Sequence, residues 1–323
     1  MPMCGIMMVG AMCLHGAGET TMPSLIAIVV NFVNIVVSWI LSGADFTIGD
    51  TTYINPFTFD MHVMGIAAGT AVSYAMGALL TIWVLMRGVK DLRLTRGSLS
   101  VERIMTGRII RVGVPNFFEG ISMWAVNLFV LMFLGIIATA SAAGEGMVGA
   151  HVIAIQWEAL SFMPGFAIGT AAGALAGQYL GAGNPRMARK AVLTCTAIGV
   201  VVMVSIGVVF MLFGEELTRF LSRDPIHLKH VPRLLLICGS MQCFFAITLV
   251  VRQSLRGSGD TKWTFIITSA SSYGVRLPAA YLLGVHFGYG IEGVWIALCG
   301  ELIVRSILFS ARFIHGGWQR VRV

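Results

Sequence analysis

Charge is scarce in this chain. Of its 323 residues, 11% are Asp, Glu, Lys or Arg, against about 25% in an ordinary globular domain. A water-facing surface of normal polarity cannot be built from so few, which excludes a soluble enzyme, a nucleic-acid-binding module and a disordered chain. Cysteine is sparse and unpatterned. Cys4, Cys13, Cys195, Cys238, Cys243 and Cys299 all lie in apolar stretches with no C-x-x-C, and read as small buried hydrophobes rather than disulfides or metal ligands. The seven histidines are scattered near the ends of apolar runs, and no H-E-x-x-H or Ser-His constellation is present, so no catalytic residue and no bound metal or cofactor is expected. Residues 1–14 are apolar but lack a basic n-region and a small-residue cleavage site, so they are not read as a signal peptide.

What is abundant is hydrophobicity, at 57% of residues. A membrane span needs about 20 mostly apolar residues, and eight such runs are legible: 22–42, 62–86, 112–138, 149–178, 190–214, 232–251, 263–285 and 291–312. Residues 1–14 read as the end of a ninth. The expected fold is therefore an all-α polytopic membrane protein embedded in the bilayer. Its net charge of +7 is read through loop placement. Arg87, Lys90, Arg93, Arg96, Arg103, Arg108, Arg111, Arg186, Arg189, Lys190, Arg252, Arg256, Lys262, Arg312, Arg320 and Arg322 fall on one face; Arg219, Arg223, Lys229 and Arg233 fall on the other. The first face, with the C-terminus, is expected in the cytoplasm and the chain in the cell (inner) membrane.

Residues 14–43 align without gaps on 255–284, with seven identities in thirty, among them Gly16/Gly257, Gly18/Gly259 and Thr20/Thr261. About two or three would be expected by chance. The alternative is two similar turns without a repeat. If the repeat is real, six spans separate equivalent points, so the halves run parallel and the unit is six helices. Three spans and most of a fourth are then expected ahead of Met1, and the chain reads as a fragment. The domains expected are a partial first lobe at 1–86, a basic cytoplasmic linker at 87–111 and a complete six-helix lobe at 112–323.

Pro164-Gly165 followed by Gly177-Gln178-Tyr179-Leu180-Gly181-Ala182-Gly183-Asn184-Pro185 and Ala188 resembles the P-G … G-Q-x-L-G-A-G-x-P-x-x-A signature of MATE (multidrug and toxic compound extrusion) transporters. The loop Leu255-Arg256-Gly257-Ser258-Gly259-Asp260-Thr261 resembles that family's L-R-G-x-G-D-T turn, and Gly149-Ala150-His151 resembles the start of its eighth helix. The resemblance covers essentially the whole chain and implies a two-lobe helical bundle, its first lobe incomplete here. It also implies export of small organic cations against inward Na⁺ or H⁺ by a protein working as a monomer. Other readings are a lipid-linked precursor flippase of the same superfamily and a non-transporting remnant.

Candidate residues are the few polar ones inside the spans. Glu119 follows Pro115 about one turn into its span. A carboxylate there is costly unless paired, hydrated or protonated, which suits a coupling-cation site. The resemblance to NorM-like sequences assigns the same role. Asn127, on the family's seventh helix, is a second candidate to donate to the cation, with a bridge between helices as the alternative. The plain alternative is a Glu near the interface neutralised by a basic loop residue. Gln156, Trp157 and Glu158 are candidates for the substrate cavity, with charge and cation–π attraction holding an organic cation; a buried carboxylate bonded to Arg276 or Arg305 is the alternative. Arg276 is counted with the cavity candidates and is expected to pair with a carboxylate or hold helices together, and Glu301 to pair with Arg305 four residues on. Phe245 stands where NorM-like sequences carry an aspartate, and Ser38 where another branch carries an acidic residue. Gly165, Gly169, Gly173, Gly177 and Gly181 form a small-x-x-x-small face for close helix contact.

Overall fold

The computed structural model describes residues 2–48, 51–57, 59, 61–89, 92–95, 102–140 and 144–321. Lys90, Arg96 and Arg322 of the basic set lie outside them. The apolar runs become helices because a membrane span must satisfy every backbone N–H and C=O internally. Two units result, Met1–Val101 and Glu102–Val323.

In the first unit α1 (Pro2–Gly16), α2 (Thr21–Ser42) and α3 (His62–Arg87) pack together. Between α2 and α3 lies a two-stranded hairpin, β1 (Phe46–Ile48) and β2 (Thr51–Tyr53), which the hydropathy reading did not foresee. Gly65 and Gly69 of α3 lie against the α2 backbone: a Cβ on Gly69 would sit 2.7 Å from the Ser38 nitrogen. Asn34 on α2 is not left bare. Its Nδ2 donates to Thr70 and Ser73 of α3, both at 3.2 Å.

The second unit contains α4 (Arg103–Ala140), α5 (Glu145–Gly181), α6 (Pro185–Leu212), α7 (Gly214–Leu221), α8 (Pro225–Ser240), α9 (Gln242–Gly257), α10 (Thr261–Ser271), α11 (Leu277–Ala280) and α12 (Gly290–His315). Its core is built at one end around Leu134, Leu234, Leu235 and Trp295, and at the other around Val192, Leu255, Phe309 and Trp318. Among the described residues six helices are long and apolar enough to cross a membrane, α2 to α6 and α12.

The two remaining spans differ from expectation. The run at 232–251 is two helices, α8 and α9, bent by 57° at Met241. Buried Gln242 stitches the break, donating from Nε2 to Ser161 of α5 at 3.1 Å. The run at 263–285 is helical from Thr261 to His286, but π-helical turns at Ser272–Arg276 and Tyr281–His286 flank α11 and its Pro278. Such turns absorb the missing proline N–H. The linker is also shorter than 87–111, because α4 already begins at Arg103. Arg252 and Arg256, counted with the loop cations, lie on α9.

The signature glycines are explained by packing and capping. Along α5, Gly165 meets Met203 and Leu249, Gly169 meets Gln253, and Gly173 and Gly177 meet the α9 backbone at Gln253 and Gly257; Gly181 has open space instead. Gly183 closes α5 with φ +72°, a conformation L side chains rarely adopt. Asn184 then caps α6 by accepting from the Met187 N–H at 3.1 Å, with Pro185 in the first turn. The two repeat turns share one cap: Glu19 N–H to Leu14 O at 2.9 Å, and Asp260 N–H to Leu255 O at 2.9 Å. The same bond, Asn184 N–H to Tyr179 O at 2.8 Å, closes α5.

Candidate functional site

All the charged side chains buried within the spans lie, among the described residues, in the second unit. Glu119 sits sixteen residues past Arg103 on α4, or about 24 Å along the helix axis at ~1.5 Å per residue. That is mid-helix rather than one turn in, since α4 starts earlier than its apolar run. It is 1% exposed. One carboxylate oxygen, Oε1, accepts from Arg252 Nε at 2.7 Å and from the Thr268 hydroxyl at 3.0 Å. The other, Oε2, is buried and accepts nothing among the described residues; Asn116 Oδ1, one turn earlier, is in the same condition. The neutralising partner is therefore a basic residue, as one reading of the sequence had it, but it comes from within α9 and not from a loop.

A second ionic cluster centres on Glu301, fully buried on α12. Arg305 Nη2 meets its Oε1 at 2.7 Å, and Arg276 Nη2 meets its Oε2 at 3.0 Å. Arg305 also donates to Ser271 and Ser272, where α10 passes into its first π turn. The expected 301–305 pair is present. Arg276 takes both of its expected roles at once, pairing with a carboxylate and joining two segments.

Between these clusters lies a cavity of about 450 Å³. Gln156, Glu158 and Arg276, candidates for the cavity, line it, and so does Asn127, a candidate for the cation site; Trp157 does not. The reason is helical geometry. His151, Ile155, Glu158 and Phe162 follow three- and four-residue spacing and share one face of α5. Trp157 falls on the opposite face, packed into the core and tilted against Phe220 of α7 at 6.4 Å. The aromatic walls come instead from Trp124, Phe162, Phe245 and Trp295. Trp295 is fixed by donating to His151 Nδ1 at 3.1 Å. Sequence reasoning passed over Trp124 and placed Arg252 with the cytoplasmic cations rather than at the site. Walking four residues at a time from Glu119 reaches Met123 and Asn127, so the same helical face was there to be followed.

The Glu158 carboxylate is half-buried in this cavity and forms no hydrogen bond or ion pair among the described residues. Arg276 acts on it through space without bonding to it. Asp260, part of the signature turn, is occupied: Arg312 Nε donates to it at 2.8 Å.

Residues 115–282 match the MatE family. The chain belongs to that family. A probable multidrug resistance protein NorM of Thermotoga maritima is 32% identical over 318 residues, covering 98% of this MatE chain and 64% of that protein. The multidrug resistance protein MdtK of Yersinia pseudotuberculosis is 27% identical over 259 residues, covering 77% and 54%. The chain thus spans less than two thirds of the length of these relatives. An outward-facing structure of a multidrug resistance MATE family transporter of the MOP superfamily superimposes with a TM-score of 0.82 at 20% identity, over 97% of this chain and 66% of that one. At that identity the likeness concerns the fold. The protein is a multi-pass, all-α membrane protein of MATE architecture.

Proposed function

We propose that this MatE protein works in multidrug efflux, exporting small organic cations by antiport with Na⁺ or H⁺ through alternating access. The observation that carries the reading is Glu158: a carboxylate without a partner among the described residues, in an aromatic-walled cavity inside a helical membrane bundle. A delocalised organic cation supplies what Glu158 lacks, a positive charge in direct contact with the carboxylate, and a flat face for Trp124 and Trp295. The multidrug resistance names of the relatives point the same way. Glu119 is the residue for the coupling ion. A proton on Oε2, or a cation against Oε2 and Asn116 Oδ1, would satisfy two buried acceptors that otherwise have none.

A flippase for lipid-linked anions needs a strongly cationic cavity. Arg252, Arg276 and Arg305 do line this one, but Glu119, Glu158 and Glu301 match them charge for charge, which favours the drug exporter. The basic residues support an inner-membrane orientation with the C-terminus in the cytoplasm: with Arg252 paired to Glu119 inside the bundle, fifteen of the sixteen remain on that face against four. We take the working unit to be a monomer.

Ethidium efflux from everted vesicles tests the reading. The wild-type protein should drive gradient-dependent efflux, and Glu158→Gln should reduce it about tenfold or more, since the amide keeps the shape and loses the charge. Undiminished efflux by Glu158→Gln would remove the cavity from the mechanism.

A further inference from the structure

We infer that the second unit carries a binding site for an anionic phospholipid headgroup where α12 ends, lined by residues other than those of the central cavity. Two adjoining pockets meet there. One, of about 370 Å³, is lined by Arg189, Phe313, Ile314, His315, Gly316, Gly317, Gln319 and Arg320. The other, of about 710 Å³, is lined by Gln319, Arg320 and the ends of α5 and α9. Among the described residues none of the side chains lining either pocket is acidic. Arg189 and Arg320 form no ion pair or hydrogen bond within the described residues either. That sets them apart from Arg312 nearby, which Asp260 neutralises.

The site is held by built structure. Gly316 turns the chain at φ +73°. Trp318 is then fully buried, stacked on Phe313 at 5.1 Å and donating from Nε1 to the Phe313 carbonyl at 2.9 Å. That anchor fixes Gln319 and Arg320 against the pocket, across from Arg189 on α6. Two uncompensated guanidiniums, an amide and an imidazole suit a phosphodiester. A phospholipid, rather than free phosphate, is indicated by what adjoins them. Ile314 lines the pocket and is 68% exposed, and Ile307, two turns earlier on α12, is 60% exposed. An acyl chain can lie along this apolar stripe while the headgroup meets the cations at the bilayer surface.

Native mass spectrometry of the full chain, titrated with phosphatidylglycerol or phosphatidylcholine, tests this. Phosphatidylglycerol should be retained preferentially. Arg189→Gln with Arg320→Gln should weaken that retention on the order of twentyfold, at roughly fivefold per cation near an anionic surface. Arg219→Gln with Arg223→Gln, beyond the far end of α6, should leave it unchanged. Excess inorganic phosphate should displace the lipid poorly. Equal retention of the two lipids, equal loss in both double variants, or full displacement by phosphate would each overturn the assignment, the last by making the ligand a free anion.

Discussion

The two units bury polarity in different currencies. In the first, the contact between α2 and α3 is made from neutral groups: glycines that let backbones touch, and one amide, Asn34, shared by two hydroxyls. In the second, three glutamates and three arginines lie inside the spans. Neutral hydrogen bonds between membrane helices are inexpensive to make and contribute little. Ionised groups are costly in hydrocarbon and persist only where they pair or serve a purpose. On the proposed function, the difference marks where the transport residues are concentrated. Within the second unit it divides again, between glutamates that are consumed by pairing and the one that is not.

The largest effect should follow from opening the Glu301 cluster. Glu301→Gln leaves Arg276 and Arg305 sharing a buried site with no counter-charge, and removing one partner of such a cluster costs about 3–5 kcal/mol. Thermal unfolding in detergent should show a greater loss of stability than for a single change at Glu119, Asn34 or Glu158. A loss no larger than that of an exposed substitution would mean that water already screens the cluster.

Glu119→Gln should come next. Arg252 is less enclosed than Arg305, with 18% of its side chain exposed, so it can turn toward the cavity and recover some solvation. A cost of about 2–3 kcal/mol is expected for the lost charge-assisted bond. Ion-coupled efflux should disappear while the protein still folds. The double variant Glu119→Gln with Arg252→Gln should recover most of the stability without the coupling. If it recovers both, the pair is structural and Glu119 is not the ion site.

Much of this contrast was legible in the sequence, and the gaps have physical causes. Helices α2 to α6 and α12 follow directly from apolar runs, because nothing else satisfies a backbone in lipid. The break at Met241 was not legible, since the apolar composition continues across it and the stitch from Gln242 to Ser161 is a tertiary contact. Loop cations were mistaken in one instance for the same reason: hydropathy ends a span where charge begins, and Arg252 is a charge inside a helix. Glu119 was found because a lone carboxylate in an apolar run is conspicuous in one dimension. Its partner Thr268 was not, because threonine is unremarkable in a helix until a carboxylate faces it. Trp157 was misassigned because adjacency in sequence to Glu158 places it about 100° away on the helix, here on the core side.

The third effect belongs to the first unit. Asn34→Val removes two hydrogen bonds to Thr70 and Ser73 but keeps an apolar side chain at the helix contact. Interhelical bonds of this type average about 0.6 kcal/mol and reach about 1.7, and neither hydroxyl is orphaned, since Thr70 already donates to the Ile66 carbonyl and Ser73 to the Thr70 carbonyl. A modest loss in that range is expected. A loss as large as that of Glu301→Gln would show that the neutral contact is no cheaper than the ionic one, and the distinction between the units would collapse.

The smallest effect on stability should come from Glu158→Gln, the same change expected to cost the most efflux. Nothing among the described residues bonds to this carboxylate, so its replacement breaks no pair there. Arg276 loses a distant counter-charge but keeps Glu301 at 3.0 Å. The half-buried carboxylate also sheds its own desolvation cost when it becomes an amide. These two contributions oppose each other, and the net change should stay within about 0.5 kcal/mol. Unfolding in detergent with and without a saturating organic cation separates binding from structure. The wild-type protein should be stabilised by the ligand, by roughly 2.7 kcal/mol at a hundredfold excess over Kd, and Glu158→Gln should show little of that gain. A variant that is markedly less stable without ligand would place Glu158 among the paired glutamates. A variant that keeps the full ligand-induced gain would show that the aromatic walls alone hold the substrate.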